Sequence, residues 1–228
     1  MGGIKMSRNI VPRINKGADL GTPEKNWNRL YADTVIANNV YGGNLGAVEQ
    51  SANSEAMLRS IITNADSNPV SITIYDDIPI TTNLTIPSNV YLNFKDNGKL
   101  SPADGITLTV EGSVSAGLWQ VFGDSGTLAG PIMNDMIFPE WFGNDLSRTI
   151  DVAGSHNTTI KISSPITINT DITIPNNIEL DFARNGRLIA DTGVTITLNC
   201  GIRTGPWQIF DGEGLIVGSP LVDAVYPE

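Results

Sequence analysis

The sequence predicts an all-β fold, a right-handed parallel β-helix (a solenoid) behind a small N-terminal α/extended segment, and three observations predict it. From Val70 onward the apolar period is two. SITIY, IPITTNLTI, NVYLNF, GITLTV, TIKIS, ITINTDITI, IELDF and VTITL are short β-branched runs of alternating character. Turn-forming groups such as Pro87-Ser88-Asn89, Asp96-Asn97-Gly98, Arg184-Asn185-Gly186 and Asp191-Thr192-Gly193 separate them at regular intervals. Finally, a long stretch of the chain occurs twice.

Residues 1–50 stand apart from the rest. Thr22 is placed to cap a short helix, with Pro23 at its first position and Glu24 in its first turn. Trp27, Leu30 and Tyr31 follow at i, i+3 and i+4, so one face of that turn is apolar. So short a helix is marginal alone in water and needs a surface to pack on. Trp27, Leu30 and Tyr31 are therefore interface candidates, with packing inside the chain as the equally weighted alternative. A second helix is expected within 51–69, capped by Ser51, Asn53 or Ser54. Its Met57, Leu58, Ile61 and Ile62 can lie over the first strands. No helical pattern is read after residue 66.

The β-rich part divides into one copy over 70–140 and a second over 141–228. Pro87 and Pro175, Gly98 and Gly186, and Trp119 and Trp207 are each 88 positions apart, with no gap between. The matched apolar residues are spaced for one strand face: Ile80 and Ile168, Ile86 and Ile174, Leu92 and Leu180, Phe94 and Phe182. On the opposite face Tyr91 meets Glu179, Asn93 meets Asp181 and Lys95 meets Ala183, so an inside is repeated while an outside varies. Several runs of four to six residues per copy suit stacked coils, each burying its face on the next, better than tandem sandwiches. Asn97-Gly98, Asn185-Gly186, Gly105 and Gly193 are expected to need positive φ.

Composition excludes several functions. A formal net charge of −10 argues against nucleic acid as a direct ligand and against anionic membrane surfaces. No apolar run reaches membrane-spanning length, so no membrane insertion is expected. One cysteine, Cys200, cannot form an intramolecular disulfide. His156 is the only histidine and has no Cys or His partner, so no metal site is expected, and no other cofactor. No phosphate loop, dinucleotide fingerprint or nucleophile elbow is present. Glu179 and Asp181, with Asp171 one strand earlier, could in principle cut a glycosidic bond. Their counterparts Tyr91, Asn93 and Asn83 are not acidic, which favours a solvated acidic face. Trp119 and Trp207 could stack on sugars. Their identical context in both copies favours an architectural role. Trp119, Trp207, Glu179 and Asp181 thus stand as weak carbohydrate-contact candidates, and no catalytic residue is assigned.

The segment GLWQVFGDSG followed by MIFPEWFG, with its partner GPWQIFDGEG and AVYPE, resembles the pectate-lyase-like β-helix modules of phage tailspikes and related surface proteins over residues 70–228. KGADLGTPEKNWNRLYADTVIAN resembles attachment regions of phage head and tail fibres over roughly 9–45. The resemblance implies a virion structural protein made in the bacterial host cytoplasm: a short tailspike, tail fibre or head fibre. It further implies a homotrimer that binds other virion proteins (capsid, portal or tail) through residues 1–50. The chain has no room for the long catalytic shaft of enzymatic spikes, so no enzyme activity is expected. The alternative is a carbohydrate-binding module or a polysaccharide depolymerase acting on host surface glycans.

Overall fold

A computed structural model describes residues 48–222, and they form an all-β body. The short helix expected near Thr22, with Trp27, Leu30 and Tyr31, lies outside the described residues, as does the second Pro-Glu at the C-terminal end of the sequence.

The first repeat runs β1 (Val48–Ala52), α1 (Glu55–Ala65), β2 (Val70–Ile74), β3 (Asp77–Ile80), β4 (Leu84–Ile86), β5 (Val90–Phe94), β6 (Lys99–Pro102), β7 (Thr107–Val110), β8 (Ser113–Ser115) and β9 (Thr127–Ala129). By strand pairing the second unit opens before residue 141, with β10 (Met136–Ile137), a 3-10 turn (Pro139–Phe142) and α2 (Leu146–Ala153). It continues through β11 (Thr158–Ile162), β12 (Pro165–Ile168), β13 (Ile172–Ile174), β14 (Ile178–Phe182), β15 (Arg187–Ala190), β16 (Thr195–Leu198) and β17 (Gly201–Arg203). It closes with β18 (Phe210–Gly212), β19 (Leu215–Gly218) and β20 (Leu221–Val222).

Among the described residues every strand pairing is parallel, and partners stand 20 to 24 positions apart, as in Val70 opposite Val90 and Leu84 opposite Leu108. The first repeat forms the sheets β1-β2-β5-β8, β3-β6 and β4-β7-β9, and the second β10-β11-β14-β17-β20, β12-β15-β18 and β13-β16-β19. Parallel register puts like beside like. Ile72, Leu92 and Val114 form one inward column, and Ile160, Leu180 and Ile202 its copy. The matched inward residues Ile80, Ile168, Ile86, Ile174, Leu92, Leu180, Phe94 and Phe182 are all buried. Alternation along each strand carries the next residue outward, the pattern of a sheet with one wet face.

Helix α1 is capped by Ser54, whose Oγ accepts from Met57 N at 3.4 Å; Ser51 belongs to β1 instead. Leu58 and Ile61 enter the core and Ile62 packs at its margin, whereas Met57 is exposed and does not cover the strands. The absence of helix after residue 66 is corrected by the 3-10 turn and α2. Asp145 Oδ1 caps α2 by accepting from Arg148 N at 3.0 Å, and Leu146, Val152 and Ala153 are buried. Leu146, Thr149, Val152 and Ala153 do share one buried face, but eight residues are too few for that period to stand out from the strands around it. The repeat itself marks the helix, however, since Leu146 stands 88 positions after Leu58 and Ala153 after Ala65.

The turns follow expectation in part. Gly105 and Gly193 adopt φ +75° and +81°, and Asn97 adopts φ 73°. Gly98 and Gly186 do not need positive φ. Each is glycine because a Cβ there would strike the carbonyl oxygen of Ile74 or Ile162 on the strand packed beneath.

Candidate functional site

Outward side chains of the sheet β1-β2-β5-β8 line a shallow open groove of about 330 Å³, with Ser71, Tyr91, Asn93, Lys95, Ser113 and Ser115 around it. Strand alternation and register place them. Ser71, Tyr91 and Ser113 stand side by side on neighbouring strands, and Asn93 stands beside Ser115. Tyr91 is 49% exposed and offers a ring face within this set of hydroxyls and an amide. Such a surface can stack against and hydrogen-bond a polar ring, but it holds no carboxylate and no imidazole to move a proton.

The equivalent face of the second repeat is chemically different. Lys161, Asp181 and Arg203 stand in register on neighbouring strands, and Thr159, Glu179 and Gly201 form the row beside them. Lys161 Nζ donates to Asp181 Oδ2 at 2.7 Å, with the aspartate side chain only 13% exposed. Arg203 lies 2.7 Å from Glu179 Oε1, a close ion pair whose angle falls outside a hydrogen bond. Glu179 and Asp181 are therefore each occupied by a cation on an adjacent strand.

Asp171 is occupied as well. Its Oδ1 accepts from Thr195 N at 2.7 Å, and in the first repeat Asn83 Oδ1 accepts from Thr107 N at 2.8 Å. An amide oxygen performs the same task, so the position uses an acceptor rather than a charge. Asp77 lies at the start of β3 with Oδ1 2.5 Å from Ser101 Oγ, and among the described residues no group of three metal-ligating side chains comes together.

Trp119 and Trp207 are half-buried, and each ring lies over the glycine two positions before it, Gly117 or Gly205, leaving no room for a Cβ there. Gln120 Nε2 donates to Phe122 O at 2.9 Å and Gln208 Nε2 to Phe210 O at 2.8 Å. The Trp-Gln pair thus shapes the same turn twice. Trp119 and Trp207 are not brought to the Tyr91 groove. Cys200 is buried, and burial pushes its thiol up to about 11, partly offset by a backbone hydrogen bond, so it stays protonated and unreactive. His156 serves through its backbone: its carbonyl and that of Gly154 accept from Asn177 Nδ2 at 2.8 and 3.0 Å.

No family model, curated protein or solved structure matches this chain. Several residues that hold this surface in place are silent in strand periodicity. Asn89 Nδ2 donates to Asp66 O at 3.0 Å and Asn68 O at 2.7 Å, the same clamp that Asn177 makes in the second repeat. At the seam between repeats Asn134 replaces a strand partner: Val114 N donates to its Oδ1 and its Nδ2 donates to Val114 O, both at 2.8 Å. The 88-residue offset points to the Asn89/Asn177 pair in sequence; nothing in sequence points to Asn134.

A dense cluster of charged and hydroxyl groups anchors α1. Glu55 Oε2 accepts from Thr81 N at 2.8 Å and Thr81 Oγ1 at 2.7 Å, and Glu55 Oε1 accepts from Arg59 Nη2 at 2.6 Å and Thr82 Oγ1 at 3.0 Å. Arg59 Nη2 also donates to Thr82 O at 2.6 Å. Partial burial pushes the Glu55 carboxyl up, but hydrogen bonds from Thr81, Arg59 and Thr82 outweigh it and lower it to about 2. The cluster ties the helix to the β3–β4 loop.

Proposed function

We propose that the chain is a non-enzymatic structural protein whose body is a right-handed parallel β-helix, serving as a short tailspike, tail fibre or head fibre of a phage virion. Parallel pairing at a spacing of 20 to 24 residues supports the helix, because each return to the same sheet is one coil. Right-handedness follows from the strong preference of parallel crossovers for that hand. The observation that carries the non-enzymatic reading is the fate of the carboxylates: Asp171 caps a backbone N–H, and Asp181 and Glu179 are held by Lys161 and Arg203. The virion assignment is supported by the resemblance of residues 9–45 and 70–228 to phage fibre and spike segments. In this reading residues 1–50, with Trp27, Leu30 and Tyr31, join three chains and bind the particle.

The test is to blot density-gradient-purified phage particles from the source with an antibody raised against residues 48–222. Co-banding with intact particles, at three copies or a multiple of three per particle, is expected. Abundant protein in the lysate with none in the particle fraction overturns the assignment.

A second reading is favoured by the Tyr91 groove, whose hydroxyls and exposed ring suit a neutral sugar. It predicts glycan-array binding that Tyr91→Ala abolishes and Trp119→Ala leaves alone.

A further inference from the structure

The two repeats present the same loop in two states. In the first, the β3–β4 loop (Thr81–Asn83) receives a carboxylate and a guanidinium from one turn of α1. Thr81 N, Thr81 Oγ1 and Thr82 Oγ1 donate to the Glu55 carboxylate at 2.8, 2.7 and 3.0 Å, and Thr82 N donates at 3.3 Å. Arg59 Nη2 donates to the carbonyls of Thr82 and Asn83 at 2.6 and 3.1 Å. Partial burial raises the Glu55 carboxyl, yet these donors bring it down to about 2. Two of the donors are backbone N–H groups, so the course of the loop makes the site as much as its side chains do.

The β12–β13 loop, Asn169–Asp171, lies 88 positions further on, with the same bend between the corresponding strands. Thr170 repeats Thr82, and Asn169 offers an amide where Thr81 offers a hydroxyl, so both side chains can still donate. The pair that fills the first loop has no counterpart. Gly143 and Ser147 stand at the positions of Glu55 and Arg59, and Gly143 faces Gln120 and Asp124 of the first repeat. Arg148, the next cation along, turns the same way: its Nη2 donates to Gly123 O at 2.7 Å and its Nη1 lies 3.4 Å from Asp124 Oδ1. Among the described residues no backbone acceptor meets Asn169 N or Thr170 N, and no backbone donor meets the carbonyls of Thr170 and Asp171. All three loop residues are exposed. Asp171 in place of Asn83 adds a negative charge on the residue whose carbonyl corresponds to one that Arg59 meets.

We infer that the Asn169–Asp171 loop is a binding site for a glutamate and an arginine spaced i, i+4 on a helical segment. The carboxylate takes the N–H groups of Asn169 and Thr170 and the Thr170 hydroxyl, and the guanidinium lies against the carbonyls of Thr170 and Asp171. The precedent is in the same molecule, because the matching backbone groups of the first repeat already hold such a pair. Order matters: Glu55 precedes Arg59, and along the loop the N–H donors precede the carbonyls. The inference stands on the chemistry of this loop and requires neither the virion reading nor the Tyr91 groove.

The probe is an acetylated, alanine-rich helical peptide carrying one glutamate and, one turn later, one arginine, titrated at low salt into the isotope-labelled full chain. Saturable shifts of the Asn169 and Thr170 amide resonances are expected, with those of Thr81 and Thr82 unmoved because Glu55 already fills their loop. Binding should weaken at least tenfold when glutamine replaces the glutamate or when the two residues trade places. Thr170→Val, at an exposed position, should weaken it at least threefold. Amide hydrogen exchange separates two sources of the pair. Open amides at Asn169 and Thr170, closed by the peptide, mean that it comes from another molecule. Amides already as protected as those of Thr81 and Thr82 before any peptide is added mean that it comes from the chain itself. Open amides with no saturable binding overturn the inference, as does binding indifferent to the glutamine substitution.

Discussion

Phe122→Ala and Phe210→Ala remove the same ring from the same place in two copies of one unit, so their difference measures what coverage contributes. Phe122 is fully buried and touches rings on both sides, Phe94 at 5.6 Å and Phe142 at 5.4 Å. An aromatic of this kind buries about 150–250 Å², or roughly 4–6 kcal/mol at ~25 cal/mol per Å², an upper bound because unfolded chains already bury some of it. Truncations of buried Phe cost about 3–5 kcal/mol, and the two ring contacts place Phe122→Ala at the high end, near ~4–5 kcal/mol. Phe210 keeps one ring contact, at 6.0 Å, and is only partly buried, so Phe210→Ala should cost less, about 2–3 kcal/mol. Urea unfolding followed by tryptophan fluorescence reads the difference. With a slope of ~2 kcal/mol per M, the midpoints should fall by about 2–2.5 M and about 1–1.5 M respectively. Equal losses would refute the reasoning, because they would mean that Phe210 is as fully covered in solution as Phe122.

Two further outcomes follow from the polar contacts. Glu55 has a folded value of about 2 against an ordinary 4.5, so its contribution is fully present above pH 4.5 and is lost as pH falls toward 2. Across that window the wild type should lose on the order of 1–2 kcal/mol relative to Glu55→Gln, after allowance for solvent screening; parallel stability curves would show that the cluster is not formed. Asp171→Asn should leave stability within about 0.5 kcal/mol, since Asn83 performs the same capping, whereas Asp171→Ala should cost about 1 kcal/mol. A large loss in the Asn variant, measured by thermal melting, would mean that the charge itself matters.

Much of the body was legible in the residues. Alternation of β-branched residues determines that strands form and which face is wet, because side chains along a strand point to opposite sides whatever lies beyond them. The 88-residue offset determines the inward set of Ile80, Ile86, Leu92, Phe94 and their copies, since repeated burial keeps apolar residues while exposed positions drift. It also predicts Gly105 and Gly193 at positive φ. Other properties come into being only when distant segments meet. Parallel register sets Asp181 beside Lys161 and brings Arg203 diagonally to Glu179, so an acidic cluster in sequence becomes a set of ion pairs in space. Helix α2 has too few turns to announce itself and is held by its Asp145 cap and by packing on β9. Gly98 is demanded by the Ile74 carbonyl of a neighbouring strand rather than by its own torsion. The difference between the two repeat ends is likewise tertiary. Phe122 and Phe210 sit in matching sequence, yet Phe122 is fully buried between Phe94 and Phe142 while Phe210, among the described residues, meets one ring and is partly buried, because burial belongs to the neighbours of a residue and not to the residue itself.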